Sequence, residues 1–204
     1  MTKVFLMRHG QTRWNLEERF QGSGDSPLTE EGKLQAVQAA ERLKDLQLAA
    51  VYSSPRKRAI QTAMPVAQTL NLEVIEQPGL EEIALGEWEG KMYSEIKTLD
   101  PEGYHSFFHH PELFSGARGG ESLQEVKQRS VSTVEELAEK HSGQKILVVS
   151  HAVTIRLLLT HYLPCSINDL WNIARISQTS LSEIKFDGDR RQVGLIGCTD
   201  HLSD

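Results

Sequence analysis

Val4-Phe5-Leu6-Met7-Arg8-His9-Gly10 is the stretch from which the rest of this chain is read. Four consecutive apolar residues, β-branched and aromatic among them and stopped by a glycine, read as a short buried strand over residues 3–7. A strand hidden on both faces belongs to an open α/β sheet, and ligands in such sheets bind beyond the carboxyl ends of the parallel strands. Arg8 and His9 stand at that end. Imidazole is a competent nucleophile toward phosphorus, and the planar guanidinium fork matches phosphoryl oxygens. Gly10 is expected to let the backbone come close to a ligand.

A second segment repeats the pattern. Ile146-Leu147-Val148-Val149-Ser150 is another apolar strand, ended by His151. A helical apolar pattern follows at once through Val153, Ile155, Leu157, Leu158 and Leu159. Two strands that each end in a histidine, near opposite ends of the chain, point to two imidazoles meeting across one sheet. The plainer alternative is that His151 caps its strand and touches only water.

Between these anchors the chain alternates strand and helix. Residues 11–27 form a polar loop. Thr29 reads as a helix N-cap, with Glu30 and Glu31 in the first turn where acids suit the helix dipole, and helical spacing continues to about Leu46. Residues 50–52 are a short strand. Ser54-Pro55 opens another helix toward Leu70, with a kink or break expected at Pro65. Residues 73–77 suit a short edge strand. Ser122-Leu123-Gln124-Glu125 is a capping box for a helix that ends near Gly143. Residues 181–186 and 192–197 flank Asp187-Gly188-Asp189 as a hairpin. The alternation, with a β-rich tail, predicts an open, mainly parallel sheet covered on both faces.

Residues 79–120 differ. They are rich in aromatic and histidine side chains and interrupted by prolines and glycines, so they read as short helices and loops laid over the sheet. Trp88 and Phe107 suit packed core. His105, His109 and His110 have no accompanying metal-ligand spacing, and no metal or other cofactor is expected.

Composition narrows the partners. The 204 residues, 39% hydrophobic and 25% charged, fit one globular domain over 1–204, with 79–120 as a cap-like insert. A formal net charge of −6 disfavours nucleic acid and anionic membranes as main partners. Cys165 and Cys198 lack metal or redox spacing and read as free thiols in a reducing compartment. The first apolar run is too short for a signal peptide, and no stretch reaches membrane-span length. A cytoplasmic protein, monomer or homodimer, is the expectation.

Two further segments carry chemistry. In Ser53-Ser54-Pro55-Arg56-Lys57-Arg58-Ala59-Ile60-Gln61-Thr62-Ala63, Arg58 falls in the first turn of a helix beside apolar neighbours, which predicts an inward side chain. Arg56 and Lys57 read as a solvated face. Leu80-Glu81-Glu82-Ile83-Ala84-Leu85-Gly86-Glu87-Trp88-Glu89-Gly90 supplies carboxyls, one of which an alkoxide leaving group needs as a proton source.

Taken together, these segments resemble the histidine phosphatase superfamily, also called phosphoglycerate-mutase-like. RHGQTRWN (8–15) matches its nucleophile motif and FQGSGDSPLTEEG (20–32) the segment after it. SSPRKRAIQTA (53–63) matches the motif of its second arginine, LEEIALGEWEG (80–90) that of its acid, and VVSHA (148–152) that of its second histidine, all in order. The resemblance implies a three-layer α/β/α sandwich around a mostly parallel sheet. It implies His9 as the nucleophile that forms a phosphohistidine. Arg8, Arg58 and His151 would hold the phosphoryl oxygens, with Asn15 and Gln21 as neutral donors to the same group. Glu82 would protonate the leaving oxygen and then take a proton from water. Ala152 stands where the family usually has glycine, adding a methyl and removing no charge.

The short aromatic insert resembles the broad-specificity phosphatases of the family, acting on small phosphomonoesters without a metal. The alternatives are a cofactor-dependent phosphoglycerate mutase and a non-catalytic phosphoryl-binding module.

Overall fold

The computed structural model describes residues 1–202. Its strands are β1 (Thr2–Arg8), β2 (Ala50–Ser53), β3 (Val74–Glu76), β4 (Lys145–Ser150), β5 (Leu181–Asp187) and β6 (Arg190–Val193). They form one sheet in the order β3-β2-β4-β1-β5-β6. Neighbours from β3 to β1 pair in parallel, and β5 runs against both β1 and β6. The predicted mainly parallel sheet with a terminal hairpin is therefore present, the hairpin supplying the antiparallel part.

Register explains the central position of β1 and β4. Leu6 lies beside Val148 and Arg8 beside Ser150, so the two strands end together. His9 follows one strand and His151 the other, which places both histidines at one edge of the sheet.

The helices are α1 (Arg13–Leu16), α2 (Glu30–Leu43), α3 (Lys57–Thr69), α4 (Tyr93–Leu99), α5 (Pro101–His109), α6 (Leu123–Lys140) and α7 (Ala152–Tyr162). Phe5, Met7, Val51, Leu147 and Val149 face α2 and α3 through Ala39, Leu43, Ala59, Ala63 and Val66. Val4, Leu6, Tyr52, Ile146 and Val148 face α6 and α7 through Val134, Leu137, Ile155 and Leu158. Strand alternation thus buries both faces and gives three layers.

A third cluster joins the segment after β3 to the ends of α6 and α7. It contains Phe20, Ile83, Trp88, Phe107, Phe114, Leu123 and Leu157. Trp88 and Phe107 are buried in it, as their aromatic setting predicted.

Two local expectations differ from the structure. Helix α3 continues unbroken through Pro65. Its flanking residues Ala63, Val66 and Ala67 are packed against the sheet and α2, and tertiary burial outweighs the hydrogen bond that proline removes. The polar loop 11–27 also contains α1. Thr12 caps it by accepting from Asn15 N at 3.2 Å, while the Asn15 side chain accepts from Thr12 N at 3.1 Å. Asparagine in place of the usual glutamate or glutamine masks that box in the sequence.

Candidate active site

The carboxyl end of β1 leads directly into the site. His9 is buried, and its Nδ1 donates to Gly10 O at 2.8 Å. A carbonyl only accepts, so the proton sits on Nδ1 and the Nε2 lone pair is free. Burial first, and then Arg58 and Arg8, hold the His9 pKa well below its ordinary value. The ring is therefore neutral at physiological pH, the state a nucleophile requires.

Gly10 brings two backbone segments together. A Cβ there would meet Gly32 O at 2.5 Å, and one on Gly32 would meet Gln11 O at 2.1 Å. The two glycines let the start of α2 press against the strand end. Gly10 N also donates to Thr62 Oγ1 at 2.9 Å. Close backbone packing is what this glycine permits.

Arg8 lines the cavity and donates through Nη1 to Ile176 O at 2.8 Å. Arg58 comes from the first turn of α3 and is buried despite its charge. Its Nη1 reaches Gly24 O at 2.6 Å and Asp25 Oδ1 at 3.2 Å, and its Nη2 reaches Gly22 O at 2.8 Å. Asp25 Oδ2 also accepts from Lys57 N at 2.7 Å, so it caps α3 from outside the helix. Lys57 is exposed, as expected of a solvated face. Arg56 is not: it pairs with Glu81 at 2.8 Å, each side chain only 29% exposed. The ion pair explains the difference.

His151 has no exposed surface, and its ring centroid lies 5.2 Å from that of His9. Its Nε2 is 2.8 Å from Ser54 Oγ. Burial first, then Arg58, His9 and Arg8, push its pKa well below the ordinary value. Three buried nitrogens in this cluster have no hydrogen-bond partner: Arg8 Nε, Arg58 Nε and His151 Nδ1.

Glu82 lines the same cavity as Arg8, His9 and Arg58. Its Oε2 accepts from Val153 N and its Oε1 from Thr154 N, both at 3.2 Å. Thr154 Oγ1 lies 3.1 Å from Oε1 and 2.7 Å from Glu81 O. The turn that opens α7 therefore carries His151 and holds Glu82 as well. Asn15 and Gln21 also line the cavity, and Gln21 Oε1 accepts from Thr12 Oγ1 at 3.1 Å, leaving its amide N–H groups as donors.

The outer wall is apolar. Phe20, Tyr93, Phe107, Phe108 and Trp171 line it, and Trp171 Nε1 donates to Phe107 O at 2.5 Å. Arg19 is the remaining cation of the lining; it is engaged by Glu17 at 2.7 Å and Gly90 O at 2.8 Å. Ser54, Tyr93, Thr154 and Trp171 escaped the sequence reading. Serine, threonine and aromatic residues are common, and nothing in their spacing marks their partners. His105 does lie near His109 and His110, with ring centroids 4.9 and 5.3 Å away. Among the described residues, no group of three or more histidine, cysteine or acidic side chains is arranged to hold a metal ion.

The profile of the histidine phosphatase superfamily (branch 1) matches residues 4–199. The chain belongs to this superfamily. It is 34% identical to phosphoserine phosphatase 1 of Hydrogenobacter thermophilus, over all of this chain and 96% of the relative. It is 35% identical to the metal-independent phosphoserine phosphatase of Arabidopsis thaliana, over 94% of this chain and 90% of the relative. Other relatives bear phosphoglycerate mutase names. Among solved structures, YhfR of Bacillus stearothermophilus superposes with a TM-score of 0.95 at 36% identity, covering 98% of this chain and 99% of that one. The predicted family, fold and phosphatase class agree with these matches.

Proposed function

We propose that this chain hydrolyses small phosphomonoesters through a phosphohistidine on His9. The observation that supports the reading is one cavity lined by a neutral His9, the guanidinium groups of Arg8 and Arg58, and the Glu82 carboxyl, with the His151 ring 5.2 Å from that of His9. In the first step Nε2 of His9 attacks phosphorus, the bond from phosphorus to the ester oxygen breaks, and Glu82 gives that oxygen a proton. In the second, water attacks the phosphoryl group, Glu82 takes its proton, and the bond from phosphorus to Nε2 breaks to release inorganic phosphate. Arg8, Arg58 and His151 stabilise charge on the equatorial oxygens, with Asn15 and Gln21 as neutral donors, so that no metal is required.

The segment 79–120 serves as a cap on one domain spanning 1–204. With Phe20 and Trp171 it gives the leaving group an apolar, aromatic surround, which suits a monoester whose leaving group carries little charge. A bisphosphoglycerate, with three anionic groups, finds poor support there, because Arg19 is already paired. Both cysteines are free thiols, which suits a cytoplasmic setting. No helix among the described residues is long and apolar enough to cross a membrane.

Incubation with a phosphomonoester is expected to release inorganic phosphate and alcohol in equal amounts. Efficient interconversion of 2- and 3-phosphoglycerate with little free phosphate would instead assign the mutase reaction. No turnover of any monoester would leave a phosphoryl-binding module.

A further inference from the structure

The loop that carries Glu82 is held from below by a guanidinium that does not line the cavity. Arg129, two turns into α6, donates through Nη1 to Gly79 O at 3.1 Å and Glu81 O at 2.8 Å. Its Nη2 reaches Glu82 O at 3.1 Å and Glu121 Oε2 at 2.9 Å, and its Nε reaches Glu121 Oε1 at 2.8 Å. All five N–H groups of the fork are thereby used. Glu121 offsets the charge and continues the brace, since its Oε2 accepts from Ala84 N at 2.9 Å. Backbone bonds lock the same two segments together: Glu121 N donates to Ala84 O at 2.8 Å, and Glu87 N to Arg118 O at 3.1 Å.

Glu82 is thus gripped twice. The α7 turn holds its carboxylate, and Arg129 of α6, paired with Glu121 just before that helix, holds its main chain and that of Glu81. With every donor committed, Arg129 has none left for a substrate, so any effect it has on the reaction is indirect. Displacements of about 1 Å at a reacting group cost on the order of a hundredfold in rate.

We propose that the Arg129–Glu121 pair is the positioning element for the general acid, governing how well Glu82 protonates the leaving oxygen and then deprotonates water. The inference rests on the assignment of Glu82 above, and the experiment separates the two. It measures single-turnover phosphorylation of the enzyme by an alkyl phosphate and by p-nitrophenyl phosphate, whose leaving group needs no proton. Glu82→Gln should slow the alkyl ester on the order of a hundredfold or more and the nitrophenyl ester much less, while Glu81→Gln should change neither strongly. Arg129→Lys keeps the charge but loses the fork. It should slow the alkyl ester about tenfold or more, the nitrophenyl ester less than about threefold, and hydrolysis of phospho-His9 in parallel with the alkyl step. Glu121→Gln should show the same selectivity more weakly and serves if Arg129→Lys does not fold. A general loosening of the fold would not distinguish the two esters. Equal losses on both esters, or no loss on either, with Glu82→Gln still selective, would overturn the positioning role alone. An unselective Glu82→Gln would overturn the acid assignment and this inference with it.

Discussion

At the scale of single residues, the site is a set of charges whose protonation states are fixed by burial. His9 and His151 are both held well below the ordinary histidine pKa, chiefly by desolvation and then by Arg58. The unfolded chain takes up a proton on each near pH 6.5, and the folded one refuses it. Stability from these two groups is therefore complete above about pH 6.5 and declines as the pH falls from there toward their folded pKa values, by at most about 1.4 kcal/mol per pH unit for each histidine. Urea unfolding between pH 7.5 and 5 should show that decline, and His151→Gln should reduce its slope. A flat profile across this window, or an unchanged slope in the variant, would contradict the buried neutral pair.

At this scale the sequence told much. His9, Arg8 and His151 could be read because a strand end followed by a charged or ionisable residue is visible in one dimension. The inward course of Arg58 could be read from its apolar neighbours. The Arg56–Glu81 pair could not, since its partners come from separate segments. Ser54 beside His151 and Arg129 beneath Glu82 were hidden for the same reason.

At the scale of elements, turns and helix starts do the positioning. The start of α7 carries His151 and holds Glu82; the start of α3 carries Arg58 and is capped by Asp25. Gly86 shows how tightly the acid loop is built. Its φ is +50°, and a Cβ on it would lie 2.1 Å from Arg118 O. Gly86→Ala should therefore destabilise the protein by more than about 1 kcal/mol in urea unfolding, through both the left-handed backbone and the clash. A change within about 0.5 kcal/mol, the range of neutral surface substitutions, would show that the loop yields freely. Element boundaries followed from periodicity where helices were long and amphipathic. No break follows from Pro65, where packing outweighs local propensity, and α1 is too short to show a period.

At the scale of the whole molecule, the sheet order brings distant segments to one point. Residues near both ends of the chain meet at the ends of β1 and β4, while loops from the middle close the cavity. The formal net charge is −6, yet Arg8 and Arg58 concentrate positive potential in one cavity, beside the neutral rings of His9 and His151. On the proposed mechanism this cluster does the work a divalent cation does elsewhere. Treatment with EDTA followed by gel filtration should leave the rate of phosphate release unchanged. A loss restored by Mg²⁺ or Zn²⁺ would show that the cluster is not the sole electrophile. The three-layer architecture was legible from the alternation of elements together with the family resemblance. The aromatic wall was legible only as composition, because which rings face the cavity depends on how the cap folds over it.

The central claim is covalent, and trapping the intermediate tests it most directly. Rapid quench with phosphoryl-labelled substrate, followed by tryptic mapping under alkaline conditions, should place an acid-labile, base-stable label on His9, in the peptide covering residues 9–13. His9→Ala should show neither label nor turnover. Label on any other residue, or turnover persisting in His9→Ala, would contradict the account.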